Sequence, residues 1–380
     1  LIESRSGTGK SRLAEWMSRR GHELGACNVL ELTHGRQGGP GHGFDGMLEQ
    51  WLQSWGLERG EVYELAKARL SAFGGAASGE TEDLAAGLTE FLRPTPQGAT
   101  EVDGPAYHLG SASERFALLC RLFDRLASRR PVVLWLDDLH RGAEATRLLE
   151  FLVDERPQLP VVALGTVQVG DPAAEPGAVQ MLEELRGRRS VETIELEPLG
   201  PPEQAELIGR LLPLAPQLAE RVGERTEGHP LFAVQLVEDW VSRGLLEAGE
   251  RGFELGGQAE EAIPDDLHSV WIRRIGSAVA TLPDAQRADA WLALELAAAL
   301  GQRVDEAEWR RASQSVGVRP PRRLVYDEFV DRGLAERRND GWAFVHGMLV
   351  ESLRRRSTGR ERLADLHRAL ARMLDEPEGP

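Results

Sequence analysis

The stretch Ser4-Arg5-Ser6-Gly7-Thr8-Gly9-Lys10-Ser11 brings together residue types that can hold a phosphate. Glycines let backbone N–H groups curl around phosphate oxygens, a lysine neutralises them, and a serine hydroxyl is a ligand for Mg²⁺. The run after Ser11 is compatible with a helix through Arg20, whose positive dipole end would face the same anion. The chain's two lysines are Lys10 and Lys67, and all its other strong bases are arginines. A lysine nevertheless stands where the loop needs a compact charge. The pattern Gly-x-x-x-x-Gly-Lys-Ser/Thr puts its first glycine at position 4, which here is Ser4. Serine disfavours positive φ, so the loop is expected to curl differently or bind less tightly. The plainer reading of the same residues is a glycine-rich turn before an ordinary helix.

A second constellation follows far along the chain, Pro131-Val-Val-Leu-Trp-Leu-Asp137-Asp138. An unbroken apolar run ending in two carboxylates fits a buried parallel strand whose tip faces a ligand crevice. In phosphoryl-transfer sites the first carboxylate supports the Mg²⁺ shell, and a neighbour can orient the attacking water. An aspartate capping the next helix is the alternative. The order of the two motifs, each in its expected context, favours the phosphate site.

These residues must be positioned by a fold, and composition bounds it. A chain of 380 residues predicts two or three domains. Apolar content of 41% and charged content of 28% fit a globular protein. A net charge of −16 argues against a surface built for nucleic acid. Cys27 and Cys120 cannot make a disulfide framework and suit a reducing cytoplasm. No apolar run reaches the roughly 18 residues of a membrane span, and no signal peptide is visible. The opening Leu1-Ile2-Glu3 is shorter than a first strand would need, so the chain reads as a truncated fragment.

Cys27–Thr33 has strand character, 35–43 is irregular, and Phe44 to Trp55 repeats apolar residues at helical spacing. Breaks at 73–79 and 94–110 flank a helix around Glu82–Leu92, and this insert's aromatics read as core. A helix over 113–130 precedes the Asp137 strand. Strands at Val161–Thr166 and Val191–Leu196 complete a doubly wound parallel sheet. From Pro201 helices take over, near 202–212, 216–227 and 231–244, with Gly228 and Pro230 at a helix–helix joint. Ile263-Pro264-Asp265 opens helices near 265–281, 284–300, 304–312 and 320–332. A hairpin over 333–345, with its turn at Asn339-Asp340-Gly341, gives a winged-helix outline. Helices near 347–357 and 360–374 follow.

Together the stretches GTGKSRL (7–13), VVLWLDDLH (132–140), GT (165–166), EGHPLF (227–232) and FVHGMLVESL (344–353) resemble the STAND class of signal-transduction ATPases. The likeness is to the AAA-type modules that bacteria fuse to protein kinases, nucleotide cyclases or transcription regulators. It implies a P-loop NTPase domain over 1–197, a helical lid over 198–262, a winged helix over 263–358 and the start of a further helical segment over 359–380. It also implies ATP or ADP with Mg²⁺ as cofactors. Ser6, Gly7, Thr8, Gly9, Lys10, Ser11 and Arg12 would line the phosphates. Ser11 and Asp137 would hold the metal, and Asp138, with Lys10, would be catalytic. Pro230 would lie against adenine, Gly228 would allow the approach, and His346 would reach the β-phosphate. For His346 the rival is a helix cap. Gln168 stands where many relatives carry an arginine that senses the γ-phosphate, and it brings no charge.

The function implied is a slow ATPase working as a nucleotide-dependent switch, with effector domain and sensor repeats in the same full-length chain and a homo-oligomer on activation. A non-hydrolysing scaffold stabilised by nucleotide is the first alternative. A DNA-binding initiator-type ATPase is the second, motivated by arginines at 319–323 and 354–362 and opposed by the overall charge.

Overall fold

The computed structural model describes residues 1–34, 43–74, 78–95, 105, 107–171, 174–256, 266–338, 340–359 and 362–375. The irregular stretch at 35–42, parts of the breaks expected at 73–79 and 94–110, Ile263-Pro264-Asp265 and Asn339 lie outside the described residues. Two compact units emerge, one of Leu1–Arg5 with Gly9–Leu196, the other of Ser6–Thr8 with Glu197–Pro380.

The first unit is mixed α/β, with a five-stranded parallel sheet in the order β2-β3-β4-β1-β5. Its strands are β1 (Ile2–Ser4), β2 (Asn28–Thr33), β3 (Val132–Asp137), β4 (Val161–Gln168) and β5 (Ile194–Glu195). This is consistent with a P-loop NTPase fold. Ile2–Ser4, although only three residues, does form a strand, paired with both β4 and β5. β5 is shorter than the expected Val191–Leu196, and both its residues are exposed. Register brings Thr33 beside Asp137 and Ser4 beside Gln168, so their C-terminal ends share one edge of the sheet. Ligands of parallel sheets bind at that edge.

Helix α1 (Lys10–Glu23) leaves the loop after β1. The segment between β2 and β3 carries α2 (Gly43–Leu52), α3 (Arg59–Ser71), α4 (Ser78–Leu92) and α5 (Ala112–Ala127). The helix α3 is absent from the sequence reading. Its sign is a capping box, in which Glu58 and Glu61 bond reciprocally, ahead of Val62, Ala66 and Leu70 on one buried stripe. The insert shares its apolar core with the sheet: Phe44 meets Phe91 and Phe116 edge-on, while Leu119, Leu122 and Phe123 lie with Leu134 and Leu136. Trp55 departs from the expected core placement and is 54% exposed. Helices α6 (Ala143–Glu155) and α7 (Pro176–Arg186) complete the layer connections.

The second unit begins with α8 (Pro201–Leu211), α9 (Pro216–Thr226) and α10 (Pro230–Ser242), then a hairpin of β6 (Leu246–Gly249) and β7 (Gly252–Leu255). Next come α11 (Leu267–Val279), α12 (Asp284–Leu300), β8 (Arg303–Asp305), α13 (Glu306–Ser315), a wide helical turn at Leu324–Phe329, β9 (Ala335–Arg337), β10 (Gly341–Phe344), α14 (Gly347–Thr358) and α15 (Leu363–Asp375). The antiparallel sheet here has three strands, β8-β10-β9, one more than the hairpin foreseen. Residues expected to form separate lid and wing domains share one hydrophobic cluster, which runs from Ile208 and Trp240 through Trp271 and Trp309 to Phe344 and Leu353. Several clustered arginines are engaged internally: Arg322 with Glu306, Arg355 with Glu351, Arg356 and Arg362 with Glu295.

Candidate nucleotide site at the sheet edge

The loop after β1 takes its left-handed turns at Gly7 (φ 78°) and Gly9 (φ 105°), positions where a side chain would be strained. Ser4 is the last residue of β1 and has no positive φ, so the strain expected from its missing glycine does not arise. Among the described residues nothing lies within 4 Å of a Cβ placed on Gly9, beside the start of α1. That helix begins with Lys10 and Ser11, without a side-chain cap and without an acidic residue in its first turn. Its first N–H groups and dipole therefore suit an anion.

Lys10 is buried, and its Nζ donates to the loop's own carbonyls, Ser4 O at 3.2 Å and Arg5 O at 2.8 Å. Burial pushes the ammonium below the usual lysine range, against the pull of Asp138 and Asp137. Ser11 Oγ donates to Asp137 Oδ1 at 2.8 Å, joining residues 126 positions apart. Thr166 Oγ1, fully buried on β4, donates to the same carboxylate oxygen at 2.7 Å and accepts from Asp138 N–H at 2.9 Å. Burial, then the charge of Asp138, raises the Asp137 carboxyl, while the two hydroxyls and Lys10 oppose them.

Asp138 follows in a left-handed conformation (φ 53°) that sends the chain sharply into the turn Leu139–Arg141. Its Oδ2 receives Arg141 Nη1 at 3.0 Å. Arg141 Nε donates to Asp171 Oδ2 at 2.6 Å, and Asp171 also meets His140 Nε2 at 2.9 Å. His140 Nδ1 accepts from Gln168 N–H at 3.2 Å, which leaves Nε2–H as the donor to Asp171. His34 Nδ1 donates to Asp137 O at 2.8 Å, and its ring lies against Gly142. Burial holds His34 below the usual histidine range.

This arrangement suits Mg²⁺ with a nucleotide phosphate. Ser11 and Asp137 offer hard oxygen donors, and Mg²⁺ takes one or two carboxylates alongside phosphate oxygens. Lys10 and Arg141 stand among three carboxylates, those of Asp137, Asp138 and Asp171, so a further cation would relieve the balance. Among the described residues no group of three or more His, Cys, Asp or Glu could hold a metal by itself.

Of the expected site residues, Lys10, Ser11, Asp137 and Asp138 come together in the first unit. Arg12 is on the outer face of α1 and pairs with Glu15. Ser6, Gly7 and Thr8 are grouped with the second unit, where Ser6 O accepts from His229 Nε2 at 2.9 Å. Gly228 (φ 76°) has Leu199 where its Cβ would be, 2.3 Å from Leu199 O, so here its bareness admits backbone rather than ligand. Pro230 opens α10, and His229 caps that helix by accepting from Phe232 N–H. His346 precedes α14 without a side-chain capping bond, and its ring packs 5.7 Å from that of Trp271. Thr166 was visible only as part of a Gly-Thr pair, and His34, His140, Arg141 and Asp171 escaped the sequence reading. His140 and Arg141 follow the carboxylate pair with Leu139 between, which is the one sign that could have drawn attention to them.

No family model matches this chain, and no curated protein does. Among solved structures it aligns with a chain described as a Walker-type ATPase of Pyrococcus abyssi. The alignment covers 93% of this chain and 90% of that one, with 15% identity and a TM-score of 0.35. No helix among the described residues is long and apolar enough to cross a membrane.

Proposed function

We propose that this chain binds ATP and ADP with Mg²⁺ and works as a regulatory P-loop NTPase, a nucleotide-dependent switch with slow hydrolysis. One observation carries the reading: the hydroxyl that follows the loop lysine meets the carboxylate that ends the neighbouring apolar strand. Lys10 would neutralise the phosphates, Ser11 and Asp137 would hold Mg²⁺, and Asp138 would orient the attacking water. The metal, when bound, neutralises charge on the phosphates and clamps them in place.

The finer assignments rest on the resemblance noted in the sequence. They are membership of the STAND class, α8–α10 as a lid, and α11–α14 with the β8-β10-β9 sheet as a winged helix. Contacts of Pro230 with adenine and of His346 with the β-phosphate belong with them. So do a cytoplasmic location, an effector domain elsewhere in the full-length chain and assembly of copies on activation. Differential affinity of two nucleotides for two domain arrangements is what would make such a module switch.

Calorimetry with ATP and ADP on the wild type and Lys10→Ala tests the core of the proposal. Loss of binding in the variant is expected, and equal affinities in both proteins would overturn the assignment. A non-hydrolysing scaffold is favoured by the uncharged Gln168 and by the pairing of Asp138 with Arg141. Single-turnover hydrolysis separates it from the switch.

A further inference from the structure

We propose that Arg141 distinguishes ATP from ADP in this chain, its guanidinium exchanging Asp138 for the terminal phosphate while Asp171 keeps hold of it. This rests on the nucleotide reading above and adds a residue to it.

The guanidinium is gripped unequally. Its Nε meets Asp171, whose side chain is 3% exposed and is also fixed by His140. Its Nη1 meets Asp138, whose side chain is 27% exposed. Breaking the buried pair would strand a charge in the interior, whereas the partly exposed carboxylate of Asp138 can be rehydrated when its partner leaves. The inner contact is therefore an anchor and the outer one is replaceable. A terminal phosphate carries more charge than a carboxylate and suits the planar fork of arginine. Arg141 is also near enough to Lys10 for its charge to act there, which puts it within the field of the phosphate loop.

The end of β4 gives the second argument. Gln168 carries no charge, and its backbone N–H is spent on His140, which in turn orients Asp171. A second cation at this edge, besides Lys10, comes from the turn after β3. ADP lacks the third phosphate and leaves the Asp138–Arg141 pair closed. ATP draws the arginine away and frees Asp138 to accept a hydrogen bond from water. A pair that merely fastens the turn would affect both nucleotides alike.

The test uses the whole chain and measures equilibrium binding of ADP and of the imido analogue of ATP, each with Mg²⁺. Arg141→Ala is expected to weaken the ATP analogue by about tenfold or more, the weight of one hydrogen bond to a charged group, and ADP by less than about threefold. Arg141→Lys, which keeps charge but loses the fork, should fall between them. Asp138→Asn removes the competing carboxylate and should raise affinity for the ATP analogue relative to ADP, a gain that vanishes when combined with Arg141→Ala. Circular dichroism checks folding. Should Arg141→Ala not fold, Asp138→Asn decides, since it leaves the arginine and its buried anchor in place. Equal effects on the two nucleotides, or none, overturn the role of Arg141 while leaving the nucleotide site standing. A wild type that binds neither nucleotide overturns both.

Discussion

Thr166 is fastened to Asp137 through its hydroxyl, which donates to Oδ1 at 2.7 Å while accepting the N–H of Asp138. A single buried side chain thus fixes both acidic residues. Thr166→Val keeps the shape and removes both bonds. It should destabilise the first unit by about 1–3 kcal/mol, the cost of leaving buried polar groups unpaired. Mg²⁺-dependent nucleotide affinity should fall with it. Denaturant unfolding and calorimetry check this, and unchanged values in both would remove Thr166 from the site's scaffold.

Gly228→Ala should destabilise the second unit by about 2 kcal/mol or more, because a left-handed φ and an occupied Cβ position act together. The obstacle is Leu199 O, backbone at 2.3 Å, and Leu199 N–H also donates to Gly228 O. Unfolding followed in urea reads the loss. A variant as stable as wild type would show that the joint between α9 and α10 relaxes freely.

Acid should weaken the fold before most carboxylates titrate. Burial lowers His34, His268 and His346 from the ordinary 6.5. Arg355 also lowers His268, against Glu351 and Asp266; Glu238 raises His346, and Arg274 lowers it. Below 6.5 these three histidines therefore bind more protons in the unfolded chain than in the folded one. Stability is lost as pH falls through that value and levels off beneath the depressed folded values. Thermal melts from about pH 7.5 down to about pH 5 should show this decline. In His346→Phe, which keeps a ring against Trp271, the decline should be shallower; an identical profile would exclude His346 as a contributor.

Turnover by the isolated chain should be on the order of one per minute or less, well below the roughly 1–10³ s⁻¹ common for enzymes. Gln168 brings no charge to a transition state, and Asp138 can orient water only after its pair with Arg141 has opened. Phosphate release measured at steady state checks it, and a rate above about one per second would mean that Asp138 is not restrained.

How much could be read beforehand depended on whether a feature is local. The Lys10-Ser11 and Asp137-Asp138 motifs carry their chemistry in consecutive residues, and buried strands such as Leu134–Leu136 declare themselves as apolar runs. Strand β8 did not, because three residues, Arg303 to Asp305, are too few to show a period and become a strand only by pairing with β10. The β6–β7 hairpin was missed because its strands have four residues each, one a glycine and one a glutamate, too few apolar positions to show alternation. The grip of Asp171 on Arg141 spans 30 positions and depends on where β4 ends beside β3, which no local pattern encodes.

The apolar cluster of the second unit also has a spectroscopic consequence. Trp240, Trp271, Trp309 and Trp342 are all fully buried within it. In the first unit Trp16 and Trp55 already face water in the native protein. Indole emission moves to longer wavelength when a buried ring meets solvent, so the red shift on unfolding arises mainly from the second unit. Intrinsic fluorescence then follows mainly the second unit, whereas far-ultraviolet circular dichroism follows the helices of both. If the two units melt at different denaturant concentrations, the unlabelled protein will report it as two midpoints that fail to coincide.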